Sequence, residues 1–152
     1  MTSEPDAATD GTTPAGLLRR LGAMVYDALL VLGLLMVVTA LLLPFTGGEA
    51  IVPERLPVLR YVYRLVLLGV VVGFYGLFWT RSGQTLGMAS WRLRVEREDG
   101  RLLGWSDVLR RLAWAVVSLL PLGLGFLWVL FDGQSRAWHD RLSHTRVVVL
   151  PK

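Results

Sequence analysis

An apolar run from Arg20 to Leu43 constrains this chain more than any other feature. At a rise of about 1.5 Å per residue, a helix of this length crosses the hydrocarbon core of a bilayer, which is about 30 Å thick. Asp27 lies two turns inside the run and shares a helix face with Arg20, because helical residues seven positions apart are nearly aligned. A carboxylate at such a position costs roughly 2.5–3.5 kcal/mol on insertion scales. It therefore either bonds helices together or belongs to a site for a proton, an ion or another ligand.

The composition agrees with a small membrane protein of one domain. Hydrophobic residues make up 53% of the 152 residues, and the mean hydropathy is +0.50, which is too apolar for an ordinary soluble domain. The chain has no cysteine, which excludes disulfides, thiolate catalysis and zinc–thiolate sites. Its arginines cluster between the apolar runs, so the basic charge indicates membrane topology rather than nucleic-acid binding.

The chain divides into a polar tail and one membrane domain. Residues 1–16 are small, polar and proline-bearing and are predicted to be disordered, while residues 17–152 form the domain. A second spanning helix is predicted near 58–79. It contains Gly69 and Gly73, whose small-xxx-small spacing allows a neighbouring helix to approach closely, and packing within this chain is favoured over dimerisation.

The polar segment after the second helix predicts a small sheet. Residues 91–97 alternate apolar and polar side chains, which is typical of a half-buried strand. The Asp99-Gly100 pair favours a tight hairpin turn, with residues 101–103 as the returning strand. The β-branched stretch 145–150 predicts a third strand on this hairpin. Such pairing requires both parts of the chain to lie on the same side of the membrane.

A third apolar run, about 108–131, is interrupted by proline and glycine at 121–125. Ser106 is the expected N-cap of its helix. The run either crosses once or forms a broken, re-entrant hairpin. The positive-inside rule favours the broken form, which places 13 cations on one side against three, whereas a single crossing gives nine against seven. Both termini would then lie in the cytoplasm.

Three separated segments together resemble the RDD family of bacterial membrane proteins. They are RxxAxxxD at 20–27, GQTLG at 83–87 with WRLRV at 91–95, and WHDRLSHTRV at 138–147. The resemblance covers residues 17–150. The predicted elements together make an all-α membrane protein with a small cytoplasmic sheet, and the resemblance implies a location in the bacterial cytoplasmic membrane. Transport of unidentified ligands has been proposed for the family, and cation–proton exchange is reported for some members.

The family is named for one arginine and two aspartates, which the resemblance assigns to Arg20, Asp27 and Asp140, with Asp132 a weaker match for the last. Arg20 is expected to pair with Asp140 and also to reach Asp27. Two arginines at the entry to the third run, Arg110 and Arg111, are alternative partners for Asp27. The loop motif supplies Gly83, Gln84, Thr85 and Gly87, which are expected to form a turn that caps the second helix.

No catalytic or metal site is predicted. His139 and His144 are the two histidines, and Asp140 is the one suitable carboxylate beside them, so neither a metal site nor a cofactor is expected. The serines nearby have no nucleophile-elbow context, and the glycines match no nucleotide fingerprint. The chain is therefore not expected to be an enzyme.

Two functions remain open from the sequence. In the first, Asp27 and a gating arginine form a path for a proton, a monovalent cation or another small ligand. Two full crossings are few for a transporter, so this function requires a homo-oligomer. In the second, the protein is a membrane scaffold that assembles with another membrane protein, and its charged residues hold the helices to the sheet. The expected partners are the lipid bilayer and either a second copy of the chain or another membrane protein.

Overall fold

The computed structural model describes residues 12–46, 57–121, 123–133 and 135–151. Two long helices dominate it, α1 (Leu17–Leu42), which continues into a 3₁₀ turn (Leu43–Thr46), and α2 (Pro57–Arg81). Both are long and apolar enough to cross a membrane, with mean hydropathies of 2.7 and 1.8. They confirm that both predicted segments are helices capable of spanning a membrane, and the middle of their connection lies outside the described residues.

The third apolar run is broken, as its proline and glycines predicted. It forms α4 (Trp105–Leu119), α5 (Leu124–Leu127) and a 3₁₀ turn (Trp128–Leu130), and the two parts are bent by 107°. Gly123 adopts φ +79°, a left-handed conformation that favours glycine. Gly125 lets α5 lie directly on α4, because a Cβ there would be 2.7 Å from the Cβ of Ser118.

The predicted N-cap of this helix is wrong by two residues. α4 begins at Trp105, and the residue before it, Gly104, has the extended backbone of an N-cap (φ −88°, ψ 169°). The side chain of Asp107 accepts a hydrogen bond from the Gly104 N–H at 2.9 Å. The acidic residue in the first turn therefore bonds the N–H of the N-cap residue itself, and Ser106 lies inside the first turn instead of capping it.

A three-stranded antiparallel sheet lies beside the helix ends, in the order β1-β3-β2. Its strands are β1 (Thr13–Pro14), β2 (Leu93–Arg97) and β3 (Thr145–Val149). β3 pairs along its whole length with β2, which confirms that the segment near the end of the chain docks on the segment after α2. Two short helices complete the fold, α3 (Leu86–Ser90) and α6 (Trp138–Leu142).

The predicted hairpin is only partly correct. The Asp99-Gly100 turn forms, with Gly100 at φ +80° and its N–H bonded to the Arg97 carbonyl at 2.9 Å. The chain does not return as a strand, because after Arg101 it turns inward to bury Leu103 and begin α4. The second side of β2 is bonded instead to a loop, through the Gly83 carbonyl and the Val95 N–H at 2.7 Å.

The third strand comes from the segment that was predicted to be disordered. Thr13 and Pro14 pair with β3, and the N–H of Ala15 donates to the Val147 carbonyl at 3.1 Å. Ala15 is completely buried. The disorder prediction is therefore wrong for residues 13–16, while residues 1–11 lie outside the described part of the chain. The core under this sheet includes Val95, Val108 and Val147.

Candidate functional site

A buried charge cluster ties the sheet side of the molecule to the helices. Asp140, on α6, is completely buried between two arginines that are themselves less than 10% exposed. Arg20 donates a hydrogen bond to one carboxylate oxygen, and Arg111 forms an ion pair with the other at 2.6 Å. The predicted contact between Arg20 and Asp140 is confirmed, and Arg111 joins them. One negative charge between two positive ones leaves the cluster with a net charge of +1.

The guanidinium of Arg20 connects four separate parts of the chain. Besides Asp140, it donates to the carbonyl of Ala15 at 3.0 Å and to the carbonyl of Ser135 at 2.7 Å. Ala15 follows β1, and Ser135 precedes α6. A planar guanidinium with several fixed donors suits this role, which a lysine could not fill in the same geometry.

Arg111 is held from three directions. Its guanidinium bonds Asp140 and the hydroxyl of Thr145, and it lies 5.3 Å from the ring centre of Trp79 on α2. Thr145 also bonds the hydroxyl of Ser143 at 2.8 Å. α2, α4, α6 and β3 therefore meet at one arginine.

The charge states of the cluster follow from burial and from the neighbouring charges. Burial would raise the pKa of Asp140, but the charges of Arg111 and Arg20 outweigh it and hold that pKa well below its ordinary value. Burial, together with the charge of Arg111, lowers the pKa of His139 to about 3. The carboxylate is therefore ionised and the imidazole neutral at physiological pH.

Asp27 forms a second, separate site. One carboxylate oxygen accepts a hydrogen bond from the hydroxyl of Thr85, and the other accepts the N–H of Gly87 at 3.0 Å. Thr85 is the N-cap of α3 and also accepts the N–H of Met88 at 3.2 Å. Asp27 thus holds the start of α3 against α1. Both of its donors are uncharged.

Part of the predicted charge network is not formed. Among the ion pairs of the described residues, none includes Asp27, so the expectation that Arg20 would reach it is wrong. Arg110 is also placed elsewhere, because it pairs with Asp107 at 2.6 Å. Asp107 lies one turn before it on α4 and is bonded by Arg97 at 2.7 Å as well. The Asp107 carboxylate is therefore the nearer partner for Arg110.

The loop motif is explained by close contacts. Gly83 adopts φ +71°, and a Cβ there would lie 2.7 Å from the carbonyl oxygen of Val95. A Cβ on Gly87 would lie 2.4 Å from the backbone oxygen of Ala23 on α1. The side chain of Gln84 donates to the Leu93 carbonyl at 2.7 Å. The motif therefore joins the end of α2 to both α1 and β2.

The two glycines predicted for helix packing have no such contact. A Cβ on Gly69 or Gly73 would meet nothing within 4 Å in the part of the chain that the structure describes. The close approach on α2 occurs at Gly76 instead, where a Cβ would lie 2.1 Å from the ring of Trp105. The prediction of packing within the chain at Gly69 and Gly73 is therefore wrong.

A cavity of about 340 Å³ lies between α1, α2 and α4, within the size range of small-molecule sites. Its walls are mostly apolar. The polar residues that line it gather toward the sheet and comprise Arg20, Asp27, Tyr75, Trp79, Arg111 and His139. Leu68 lines the opposite end, roughly 16 Å along α2 from Trp79 at 1.5 Å per residue. The cavity therefore changes from charged to apolar along the helix direction.

Two lining residues were not predicted from the sequence. Trp79 Nε1 and His139 Nδ1 are buried and have no hydrogen-bond partner among the described residues. No signal in the sequence separates Trp79 from an ordinary interfacial tryptophan, whereas His139 lies directly beside Asp140. In the described ranges, no group of three histidine or carboxylate side chains could hold a metal ion.

One of three comparisons with known proteins found a match. The model of the RDD family matches residues 14–144, which is most of the chain and contains α1 through α6. No match was found among curated proteins or among solved structures.

Proposed function

Because the chain belongs to the RDD family, we propose that it is a bacterial inner-membrane protein in which α1 and α2 cross the bilayer and α4–α5 double back. β2 precedes the broken segment and β3 follows it, yet the two strands pair over five residues. A single crossing would separate them by the membrane. The excess of arginines beside the sheet supports a cytoplasmic location for both termini.

Within this topology, we propose that the protein transports a proton, a monovalent cation or another small ligand through the cavity beside Asp27. The observation that carries the proposal is a buried carboxylate that lines a cavity between helices and is bonded by uncharged donors only. Intramembrane carboxylates usually belong to ion or proton pathways. A proton or cation would neutralise Asp27 where the protein supplies no counter-ion.

The unit that performs this transport is proposed to be a homo-oligomer. In the most apolar 18-residue stretch of α1 no residue is buried inside the protein, and in that of α2 11% of the stretch is buried. These surfaces are available to lipid or to further copies of the chain. Two crossing helices and a broken third do not enclose a path by themselves, so neighbouring copies would complete its wall.

A scaffold function is the second candidate, and a different observation favours it. Both oxygens of Asp27 are used to hold α3, and the guanidinium of Arg20 joins α6 to the segment after β1. In this case the charged residues fix the register of loop and sheet, and the protein contributes a folded surface to another membrane protein. Breaking such buried pairs affects folding, with no separate effect on flux.

Flux measurements in proteoliposomes separate the two candidates. Asp27→Asn removes the charge but keeps an oxygen that can accept from Gly87. Thr85→Val is the matched control, because it removes the second hydrogen bond of Asp27 while leaving the charge. Each variant is reconstituted at equal protein density, and proton and Na⁺ or K⁺ fluxes are recorded.

If Asp27 carries the transported charge, Asp27→Asn abolishes flux while Thr85→Val retains it. If the residue is structural, the two variants lower the melting temperature similarly, and the wild type shows no flux above empty liposomes. Equal loss of flux in both variants would also contradict a transport role for the charge.

A further inference from the structure

A second concavity lies on the surface, where α1, α3 and the sheet meet. It measures about 510 Å³ and is lined by Thr13, Arg19, Ser90, Trp91, Arg92, Val149, Leu150 and Pro151. We call it the Arg19–Arg92 groove. It is separate from the cavity beside Asp27, with which it shares no lining residue. Its position beside the first turn of α1 places it where that helix would enter the bilayer.

The groove is positively charged. Arg19 and Arg92 are both exposed, and no carboxylate of the residues that the structure describes lines the groove. Neither arginine takes part in an ion pair within the described ranges. α1 also begins without a side-chain cap or an acidic residue in its first turn, so the positive end of its dipole is not neutralised. Arg19 thus contrasts with its neighbour Arg20, each of whose three guanidinium nitrogens donates a hydrogen bond.

The backbone at Arg92 is held in an unfavourable conformation. Arg92 has φ +56°, a left-handed conformation that is strained for a residue with a side chain. Two hydrogen bonds enforce it, from the Arg92 N–H to the Ala89 carbonyl at 3.1 Å and from the Leu150 N–H to the Arg92 carbonyl at 2.8 Å. Residues kept in such conformations concentrate at binding and catalytic sites.

Trp91 forms part of the wall of the groove and packs against α1. Its ring lies on α1 at Gly22, where a Cβ would come within 2.5 Å of the ring atoms. The tryptophan is 39% exposed, so one part of the ring faces the groove side of the molecule. Tryptophan is enriched at the level of lipid head groups, where one part of the ring is apolar and another is hydrated.

We propose that the Arg19–Arg92 groove binds the phosphate of one anionic phospholipid in the leaflet next to the sheet. A single arginine can bind a phosphate through two parallel hydrogen bonds, and basic clusters beside membrane helices recognise anionic head groups. The apolar side chains of Val149 and Leu150 at the groove would contact the glycerol and the start of the acyl chains. The proposal requires α1 to enter a bilayer but does not depend on transport through the cavity.

Native mass spectrometry of the full chain, released from micelles that contain equal amounts of phosphatidylglycerol and phosphatidylcholine, tests this site. The wild type should retain one phosphatidylglycerol in preference to phosphatidylcholine. The double variant Arg19→Gln with Arg92→Gln should lower the affinity for phosphatidylglycerol roughly thirtyfold, since each interfacial arginine contributes about 1 kcal/mol to anionic lipid binding. The matched control is Arg81→Gln with Arg101→Gln, which removes the same charge from two exposed arginines outside the groove.

Arg92→Gly provides a second variant that should still fold. Glycine accepts the left-handed conformation, so the melting temperature should not fall, while retention of phosphatidylglycerol should drop. Equal loss of lipid in the control pair, or no preference for phosphatidylglycerol, would overturn the proposal in favour of diffuse attraction. Displacement of the lipid by excess inorganic phosphate would likewise overturn it, because the groove would then be a site for free phosphate. Loss of lipid preference with normal ion flux would leave the transport proposal intact.

Discussion

His139 should make the stability of this protein depend on pH. Its pKa in the folded state is lowered to about 3 by burial and by the charge of Arg111, with a further lowering by Arg20, while Asp140 acts in the opposite direction. An unfolded histidine has a pKa of about 6.5. Between these two values the unfolded chain binds more protons than the folded one, so acidification favours unfolding.

The size of the effect follows from the same two pKa values. Below the unfolded value, one group changes the free energy of unfolding by up to about 1.4 kcal/mol per pH unit. Integrated from pH 6.5 to pH 4.5, this gives a loss of about 2 kcal/mol. This pH window ends above the ordinary pKa of carboxyl groups, so the protonation of Asp140 adds little to the loss. Because its pKa is lowered in the folded state, the stability that Asp140 contributes disappears only in stronger acid.

Unfolding in mixed micelles, followed by circular dichroism across this pH window, measures the effect. His139→Asn should flatten the curve by about 2 kcal/mol relative to the wild type. His144→Asn is the matched control, because that side chain is 72% exposed and asparagine tolerates its left-handed backbone. Parallel curves for the wild type and His139→Asn would refute the argument and show that the imidazole is not shielded from water as the structure indicates.

Two further predictions concern glycines, and melting temperatures in detergent test both. Gly87→Ala should lower the free energy of unfolding by about 1–3 kcal/mol, because the new Cβ would meet the backbone of α1. Gly104→Ala has ordinary space for a Cβ and should lower it less. Equal effects of the two substitutions would contradict the close packing of α3. Gly76→Ala should destabilise the protein, because the new Cβ would push Trp105 away. Gly73→Ala should leave the stability unchanged or raise it by up to about 1 kcal/mol. A destabilising effect of Gly73→Ala would indicate a contact with another copy of the chain.

The sequence predicted those parts of the fold that depend on length and local pattern. Hydropathy identified both long helices, proline and glycine identified the break at 121–125, and β-branched residues identified β3. β1 escaped detection because a two-residue strand that contains Pro14 carries no period. The returning strand after Gly100 was a false prediction because the turn signal specifies a reversal of the chain, but not what the chain does afterwards.

The contact of Arg20 with Asp140 in the charge cluster could be predicted from the sequence, but the partners of Asp27 could not. Helical spacing and the positive-inside argument brought Arg20 and Asp140 to the same end of the molecule, and the structure pairs them. The partners of Asp27 could not be predicted this way, because they are a hydroxyl and a backbone N–H at the start of α3, 58 and 60 residues away. Neither group carries a charge that a sequence pattern could reveal. Small-xxx-small spacing at Gly69 likewise permits close packing without requiring it.

The charge cluster allows a last prediction, which distinguishes its three members. Asp140→Asn leaves Arg20 and Arg111 facing each other in a buried site without a counter-charge, and breaking a buried pair in this way typically costs 3–5 kcal/mol. Arg20→Met is expected to cost less, because it leaves a neutral pair between Arg111 and Asp140. The aspartate should therefore be the most sensitive position of the cluster.

A double-mutant cycle tests whether the three charges act together. In Asp140→Asn with Arg111→Met, a single guanidinium remains, and Arg20 keeps the two carbonyl acceptors of Ala15 and Ser135. The double variant should thus be more stable than the sum of the single effects predicts, by about 1–3 kcal/mol. Denaturant unfolding in micelles measures all four proteins. Additive effects would show that Arg111 and Asp140 stabilise the fold independently, and the ion pair between them would then contribute nothing beyond its packing.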